Sequence, residues 1–552
     1  MKKQTLLAVL LITALMASCS DNYLNREYQG GTMNQEQYDK LNTLGGSMRG
    51  IYAIMYESGG SSHDAFGHRS IDLYGDMLSG DIALTNHNYG WFYTDEQMRG
   101  YTARTGYLWS YYYRILRNVN KVLAAIKVQD VNLLDTIATY GYPSAGLHKY
   151  SEKEVEIASY YAQALTMRGY AYSALVRQYV PVMSYLETKS KTIDNYLALP
   201  IYTEDNLETP QEYSTAIDVY KRLEQDLTDA IEIFTEFEAD MARNSKLEAD
   251  VNVARGLLAY AYLNKGYYYK PATLLRNESF TKAEQYAAEV IGSGSYQIIP
   301  NAHLLTTGFN NVDDNSWIWG QDVTVETQSG LCSFFGQMDI FSYSYPWAGD
   351  TKVIDDNLYA KFVDYPWDGR KYWFNDGKEK SKFKGCPSGK FFSSYALKSN
   401  FSTADDAIDR EWLSDNVFMR VELMYLIAAE AEYQLGDYGK SADYLNALTD
   451  ERQDLSSLTA PTEYAAYQAT LGTADELSKA IEYNWRIEMW GEGYALQSFR
   501  RAIYQNAADK RTRGNNHLYL KGTEITPDNE RFTYIIPSSE TTYNPNLQKD
   551  RD

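Results

Sequence analysis

Apolar side chains recur every three or four positions over two long parts of the chain, from Tyr101 to about Gly294 and from Asn416 to about Ala507. This spacing places apolar residues on one face of an α-helix. Over residues 158–179 that face consists of Ala158, Tyr161, Leu165, Arg168, Tyr172, Leu175 and Tyr179. Pro181 follows, and proline ends a helix because it lacks an N–H donor. The pattern predicts a mostly α-helical protein.

Small residues predict that these helices pack closely as about four hairpin pairs. In residues 424–454 Ala428, Ala429 and Ala431 lie on a first helix, residues 435–438 read Leu-Gly-Asp-Tyr as a turn, and a second helix follows. Such pairs are typical of a tetratricopeptide-like scaffold, in which one pair cannot bury its own apolar face. A strict 34-residue period is absent. A generic bundle with alanine-rich contacts is therefore the alternative.

Residues 295–415 interrupt the helical pattern. They are rich in Gly, Ser, Asn and aromatic residues and predict a long loop-rich insertion with short strands. Long irregular segments on a rigid scaffold often carry recognition. We therefore expect one domain over residues 19–552, with the helical scaffold at about 101–294 and 416–507, the insertion between them and a tail at 508–552.

The first residues predict export. Lys2 and Lys3 precede an apolar run from Leu6 to Ala17, and small residues then lead to Cys19. This is the pattern of a signal peptide over residues 1–18, with Cys19 as the lipidated residue. Acyl chains anchor a protein by burying methylene groups in the bilayer. An ordinary secretory signal with a chance cysteine is the alternative.

The net charge of −21 argues against nucleic acid as a partner, because phosphate neutralisation needs a basic face. Beyond Cys19 the chain has two further cysteines, Cys332 and Cys386, which excludes a disulfide framework and a multi-cysteine zinc site. Whether these two form a single disulfide is left open by the sequence.

Catalytic and metal-binding patterns are missing from the sequence. It contains neither His-Glu-x-x-His nor Gly-x-Ser-x-Gly, and His63, His68 and His87 are not at helical ligand spacing. We therefore expect neither a metal nor a cofactor, and these patterns give little support to catalysis.

Two stretches combine aromatic residues with amide or carboxylate side chains, the combination that stacks on sugar rings and bonds their hydroxyl groups. Residues 86–94, Asn-His-Asn-Tyr-Gly-Trp-Phe-Tyr-Thr, form the core of the first. The candidate ligand-binding residues are Asp81, Asn88, Trp91, Tyr93, Trp317, Trp319, Tyr343, Tyr345 and Trp347. If residues 91–93 are extended, Phe92 faces the core. The Trp317-Ile318-Trp319 alternation predicts a strand with one tryptophan in the core.

Three C-terminal segments and one upstream helix carry motif-like sets of residues. The first segment contains Arg420, Glu422, Tyr425, Leu426, Ala429, Glu430 and Ala431. The second contains Arg486, Glu488, Gly491, Glu492, Gly493, Phe499 and Arg500. The third contains Ile536, Pro537, Glu540, Asn544, Pro545, Leu547 and Gln548, and the upstream helix contains Trp109, Tyr113, Ile115 and Asn120. The three segments resemble motifs of the SusD/RagB family of nutrient-binding lipoproteins, and the upstream helix is similar to the family's early tryptophan helix.

The resemblance implies a surface-exposed lipoprotein of the outer membrane that captures a glycan, or sometimes a peptide. It also implies a SusC-like TonB-dependent transporter as partner and no cleavage of the ligand. We interpret Arg420 and Glu430 as structural, since buried Arg–carboxylate pairs join helices. Two other classes stay open, namely a secreted polysaccharide-degrading enzyme and a repeat-based adaptor that binds protein alone.

Overall fold

The computed structural model describes residues 41–57, 62–99, 104–128, 152–237, 241, 245–271, 273–374, 383–393, 413–502 and 511–547. Cys19 and the predicted signal peptide lie outside these ranges, as does Gln548 of the third motif.

Helices make up most of the described chain. The first half contains α1 (Leu41–Ile54), α2 (His68–Leu78), α3 (Tyr93–Glu96), α4 (Thr105–Val128), α5 (Glu152–Tyr179), α6 (Met183–Thr188), α7 (Ala216–Glu236), α8 (Val251–Gly266) and α9 (Leu274–Gly292). The second half contains α10 (Phe334–Met338), α11 (Tyr345–Ala348), α12 (Asp356–Ala360), α13 (Val421–Leu435), α14 (Tyr438–Thr449), α15 (Ala460–Thr470), α16 (Ala474–Glu488), α17 (Ala495–Ala502) and α18 (Ser538–Tyr543).

The long helices pack in chain order, so that α4, α5, α7, α8, α9, α13 and α14 each contact the next. Close approach depends on small residues, because a β-carbon at Gly266 of α8 would lie 2.7 Å from the Phe280 ring of α9. Gly436 adopts φ 88° at the end of α13 and makes the predicted turn. The prediction of a mostly helical scaffold of packed neighbours is confirmed.

Within the described residues, four two-stranded antiparallel ladders accompany the helices. They pair β1 (Ile82–Leu84) with β5 (Lys352–Ile354), β2 (Leu197–Pro200) with β3 (Tyr213–Thr215), β4 (Trp317–Gln321) with β6 (Asn416–Arg420), and β7 (Arg511–Thr512) with β8 (Glu524–Ile525). The insertion contains short strands, as predicted. The predicted helical boundary at Asn416 is wrong, because residues 416–420 form a strand and α13 begins at Val421.

A buried cluster of charges joins the insertion to the scaffold. It contains four basic and four acidic side chains, which are Arg370, Lys390, Arg420, Arg452, Asp368, Glu422, Glu488 and Glu492. Arg420 Nη1 lies 2.7 Å from Glu488 Oε1, and Arg420 Nε lies 2.8 Å from Glu492 Oε2. These bonds tie β6 to the end of α16.

A second buried pair, Glu430 of α13 and Arg501 of α17, is 2.8 Å apart. The interpretation of Arg420 and Glu430 as residues that join elements is therefore confirmed. Most charged residues of the first two sequence motifs therefore form ion pairs inside the protein.

Candidate functional site

The two predicted ligand-binding stretches lie side by side because β1 pairs with β5. Ile82 is opposite Ile354 and Leu84 is opposite Lys352, and the Thr85 N–H donates to the Thr351 carbonyl at 3.0 Å. All six strand residues are buried. Residues 86–93 leave one end of this ladder and residues 343–350 approach the same end.

Asn88 and Asp350 extend the contact beyond the ladder. The Asn88 N–H donates to Asp350 Oδ1, and so does the Tyr89 N–H at 3.2 Å. The Asn88 side-chain amide donates to the Ala348 carbonyl. Asn88 is exposed but its amide is used between the loops. Asn88 therefore holds the two loops at a fixed separation, and the predicted ligand contact by Asn88 stays a prediction.

Aromatic rings cover this junction in two rows, which together we call the aromatic platform. In the first row His63 stacks on Trp91 with ring centres 5.3 Å apart, and His63 Nδ1 lies 2.7 Å from the Tyr345 hydroxyl. Tyr345 contacts Tyr89 edge-on at 5.7 Å. Tyr89 is 60% exposed, Trp91 is half-buried and Tyr345 is buried. Buried rings therefore support exposed ones.

The second row contains Tyr93, His87 and Tyr519. His87 lies between the two tyrosines, with ring centres 6.0 Å from Tyr93 and 5.7 Å from Tyr519. Tyr93 is 39% exposed, and His87 and Tyr519 are half-buried. Near the platform in sequence, Tyr343 is 52% exposed. Exposed rings held by stacking in a fixed order offer flat apolar faces to a ligand.

Phe92 separates the two rows by turning inward. Its side chain is fully buried and contacts Tyr74 and Phe66 at 5.5 Å and 6.3 Å between ring centres. Burial of Phe92 was predicted for an extended segment; the burial is confirmed, but the backbone at Phe92 is not extended. Phe92 has φ 64°, a left-handed conformation that a bulky residue adopts only when its surroundings impose it. The burial of this ring in the core holds it there.

Charged groups brace the platform from below. Arg104 makes a bidentate contact with Asp95 of α3, 2.8 Å from Nη2 to Oδ2, and a second contact with Asp64 at 2.6 Å. Burial raises the pKa of Asp95, and the Arg104 guanidinium opposes that rise. Asp64 is next to His63, whose ring stacks on Trp91, and Asp95 follows Tyr93 by two residues. Arg104 therefore joins the two chain segments that support Trp91 and Tyr93.

Lys352 of β5 provides a further brace. Its Nζ donates to Gln337 Oε1 at 2.7 Å, and Gln337 Nε2 donates to the His63 carbonyl at 2.9 Å. Burial lowers the pKa of Lys352 to about 8. Lys352 Nζ also lies 4.9 Å from the centre of the Phe92 ring.

Four predicted ligand residues are corrected by the structure, of which Tyr345 is the buried support of the first row and the other three are buried elsewhere. Trp317 and Trp319 are both buried, because β4 is covered on both faces, and their ring N–H groups donate to the Gly308 and Leu247 carbonyls. Asp81 is fully buried, and its carboxylate pairs with Arg486 at 2.6 Å. None of the three faces solvent. One of the two tryptophans was expected in the core, and the structure places both there.

Trp347 is half-buried and lies over the second core cluster. Its indole N–H donates to the Ile340 carbonyl at 2.7 Å, and its ring centre is 5.2 Å from that of Phe383. Cys386 belongs to the same cluster. Within the described chain Cys386 and Cys332 are not joined by a disulfide, which answers the question that the sequence left open.

Four platform residues, Tyr89, His87, His63 and Tyr519, were missing from the predicted set. Tyr89 lies within the quoted stretch, and its place between Asn88 and Gly90 in an exposed turn was a usable signal. His63 and Tyr519 are brought in by tertiary contacts with no local pattern to indicate them. Over the described ranges, no group of three His, Cys, Asp or Glu side chains is placed to hold a metal ion. None of the helices in those ranges combines the length and apolar composition needed to cross a bilayer.

Comparison with known proteins assigns the chain to a family. Residues 260–550, more than half of the 552 residues, match the model of the SusD family. The chain belongs to the SusD family. Residues 47–263 match a second SusD-like model, described as starch-binding and associating with the outer membrane. The resemblance seen in the three C-terminal motifs is thereby confirmed.

One curated relative supports the same family assignment. A SusD-like protein of Bacteroides ovatus is 25% identical over 321 residues, 57% of this chain and 49% of that protein. The match thus spans about half the length of that curated relative.

Solved structures of the SusD family share the fold. A SusD-like carbohydrate binding protein of Bacteroides vulgatus has a TM-score of 0.66 at 20% identity, covering 92% of this chain and 97% of its own. SusD superfamily proteins of Bacteroides thetaiotaomicron and Bacteroides fragilis have TM-scores of 0.61 and 0.62 at 18% and 16% identity, each covering 92% of this chain and 99% of their own. At these identities the likeness establishes the fold, a mostly helical tetratricopeptide-like scaffold.

Proposed function

We propose that this protein is a cell-surface glycan-binding lipoprotein that captures oligosaccharide or polysaccharide and delivers it to a SusC-like TonB-dependent transporter. The observation that carries the proposal is the aromatic platform. Tyr89, Trp91 and Tyr93 lie exposed or half-exposed within one turn of chain, and buried or half-buried rings support them from behind.

The chemistry of the platform fits a sugar polymer. The axial C–H groups of a pyranose ring pack on a flat aromatic face, and hydroxyl groups need hydrogen-bonding partners at its edge. The hydroxyl groups of the exposed Tyr89, Tyr93 and Tyr343 provide such partners, and Asn86 is also exposed in the first loop. The rings are fixed before the ligand arrives, so little side-chain freedom is lost on binding.

The membrane and transporter parts of the proposal rest on other support. The signal sequence ending at Cys19 suits a lipid anchor, and the second family model is described as associating with the outer membrane. The Bacteroides vulgatus structural relative is named a carbohydrate binding protein. The transporter partner follows from what the family resemblance implies.

Native gel electrophoresis of the purified chain in soluble starch, laminarin, xylan, mannan or pectin tests capture. We expect retardation in at least one polymer, with no new reducing ends after incubation. Release of reducing ends would favour the polysaccharide-degrading enzyme. Absence of retardation in every polymer would favour the protein-binding adaptor.

We expect Cys19→Ala to move the chain from the outer-membrane fraction to the soluble fraction, because the acyl chains attached to that cysteine provide the anchor. Fractionation followed by immunoblotting measures the distribution, and Cys332→Ala is the matched control that leaves it unchanged. Equal membrane association of Cys19→Ala and the wild type would contradict lipidation at Cys19.

We expect Gly349→Ala to weaken glycan retention about 10-fold, because the added methyl group displaces Asn88 at the junction of the two loops. Gly349 has φ 100°, and a β-carbon there would overlap the Asn88 side-chain amide. Affinity electrophoresis in the polymer that retards the wild type measures the effect. Gly330→Ala is the control, because Gly330 also has positive φ, 57°, but open space around it. Equal retention by both variants would show that the Asn88 contact does not position the platform.

A further inference from the structure

His517 lies at the centre of a buried charged cluster behind the platform. Its Nε2 is 2.9 Å from Asp355 Oδ2, and its Nδ1 is 2.9 Å from Glu96 Oε1. Arg513 Nη2 is 2.6 Å from the same Nδ1 and 2.9 Å from Glu96 Oε2. All four side chains are buried. These three partners are the charged groups that face the imidazole, and Arg486 of α16 acts on Asp355 from further away.

One carboxylate of this cluster follows the first loop of the platform, and the other follows β5 at the end of the ladder opposite the platform. Glu96 ends α3, three residues after Tyr93, and its Oε2 accepts a hydrogen bond from the Leu84 N–H at 3.1 Å. Glu96 therefore closes the loop that carries Tyr89, Trp91 and Tyr93 at both its ends. Asp355 directly follows β5 and caps α12, with Oδ1 accepting from the Leu358 N–H at 2.8 Å.

The residues after His517 reach from the cluster to the platform itself. The Leu518 N–H donates to the Leu84 carbonyl at 2.8 Å, and the Tyr519 ring stacks on His87. One run of three residues from the C-terminal hairpin thus contacts the end of β1 and the first loop, and supplies one ring of the second row.

We propose that His517 is a positioning residue for the aromatic platform, where its imidazole holds the first loop against β5, the strand that follows the second loop, by bridging Glu96 and Asp355. This inference rests on the proposed function as far as glycan affinity is concerned. The positioning itself is a property of the loops and is measurable without a ligand.

The partners of Nδ1 make the bridge sensitive to protonation. Nδ1 faces a donor, Arg513, and an acceptor, Glu96. Protonated imidazole donates to both carboxylates, whereas neutral imidazole donating to Asp355 accepts from Arg513 and leaves Glu96 without its His517 bond. Burial alone would lower the pKa of His517, but the hydrogen bonds to Asp355 and Glu96 outweigh it and raise the pKa.

The sign of the effect follows from that raised pKa. Stabilisation of the bridge is complete below the unfolded-state pKa, about 6.5, and is lost as pH rises through the higher folded-state pKa. The platform is accordingly held most firmly in mildly acidic conditions and loosens on the alkaline side.

Hydrogen–deuterium exchange of the full chain, corrected for intrinsic rates, tests the inference. We expect amides of residues 84–96 and 345–355 in His517→Gln to exchange about 10-fold faster than in the wild type at about pH 6, with α5 amides unchanged. In the wild type the amides of the same segments exchange faster at about pH 8.5 than at about pH 6, whereas in His517→Gln they exchange fast at both pH values. His303→Gln, at an exposed histidine, is the control and behaves as the wild type.

Two results would overturn the inference. One is unchanged exchange of both segments in His517→Gln, and the other is faster exchange throughout the chain including α5, which would mean a purely global role. If His517→Gln does not fold, Asp355→Asn replaces it, because asparagine keeps the helix cap and removes the charge. The same local loosening is expected, and its absence counts against the inference.

Affinity electrophoresis in the polymer that most retards the wild type separates this inference from the proposed function. Retardation of the wild type is expected to weaken from about pH 6 to about pH 8.5, and that of His517→Gln to be weaker and independent of pH. If no polymer retards the wild type, the proposed function fails while amide exchange still decides the positioning. If retardation occurs and exchange is unaltered by the substitution, the inference alone fails.

Discussion

Glu488→Gln lowers the free energy of unfolding by about 3–5 kcal/mol, the cost of leaving buried charges without their partner. The Glu488 carboxylate is fully buried and contacts three guanidinium groups, Arg370 at 3.0 Å, Arg420 at 2.7 Å and Arg452 at 2.8 Å. Burial alone would raise the pKa of Glu488, but Arg452 and Arg420 outweigh it and hold the pKa well below its usual range. Glutamine keeps the shape and removes the charge.

Urea unfolding followed by circular dichroism measures the loss. Glu476→Gln is the matched control, because Glu476 is on the same helix, pairs with Lys479 and has a side chain 47% exposed. An exposed pair of this kind contributes about 0–1 kcal/mol. If the two variants unfold within about 1 kcal/mol of each other, the buried cluster does not hold the insertion on the scaffold.

Trp91→Ala is expected to weaken glycan retention about 10- to 100-fold, or about 1.4–2.8 kcal/mol, as for other aromatic anchors at binding sites. Trp91 is the largest ring of the platform, and His63 stacks on it at 5.3 Å. Its ring is half-buried, so we expect a modest decrease in melting temperature alongside the loss of binding. Affinity electrophoresis and thermal unfolding measure the two effects separately.

Two further variants define the interpretation of Trp91→Ala. Tyr543→Ala removes an aromatic ring that is 85% exposed in α18, outside the platform, and is expected to change neither retention nor melting. Phe92→Ala removes a fully buried ring and is expected to destabilise the fold by about 3–5 kcal/mol. A Trp91→Ala variant that melts as early as Phe92→Ala but retains the polymer would place Trp91 in the core.

The helical scaffold was predictable because its signal is local. Periodicity in residues 158–179 describes α5, and the turn at Gly436 separates α13 from α14 as the small residues indicated. The boundary at Asn416 was not predictable in the same way. Residues 416–420 become a strand because β4 of the insertion pairs with them, and that partner lies about a hundred positions upstream.

The location of the aromatic platform was predictable from the sequence, but its composition was not. Both stretches rich in aromatic residues meet at one surface, and Trp91, Tyr93 and Tyr345 belong to the platform. Trp317 and Trp319 misled because alternation indicates one exposed face only when a sheet has one, and β4 is buried on both. Tyr519 and His63 were missed because stacking between distant residues leaves no trace in local sequence.

The β1–β5 ladder marks a boundary between buried residues that the fold requires and exposed rings to which the proposed ligand would bind. Its six residues are buried and bonded through the backbone, and the two loops that emerge from it carry the exposed rings. Substitutions beyond its end at Tyr89, Tyr93 and Tyr343 change the exposed surface without touching a strand bond. The ladder is therefore a seam at which paired loops from one relative could be transplanted into another, and new ligand preferences could arise while the scaffold stays as it is.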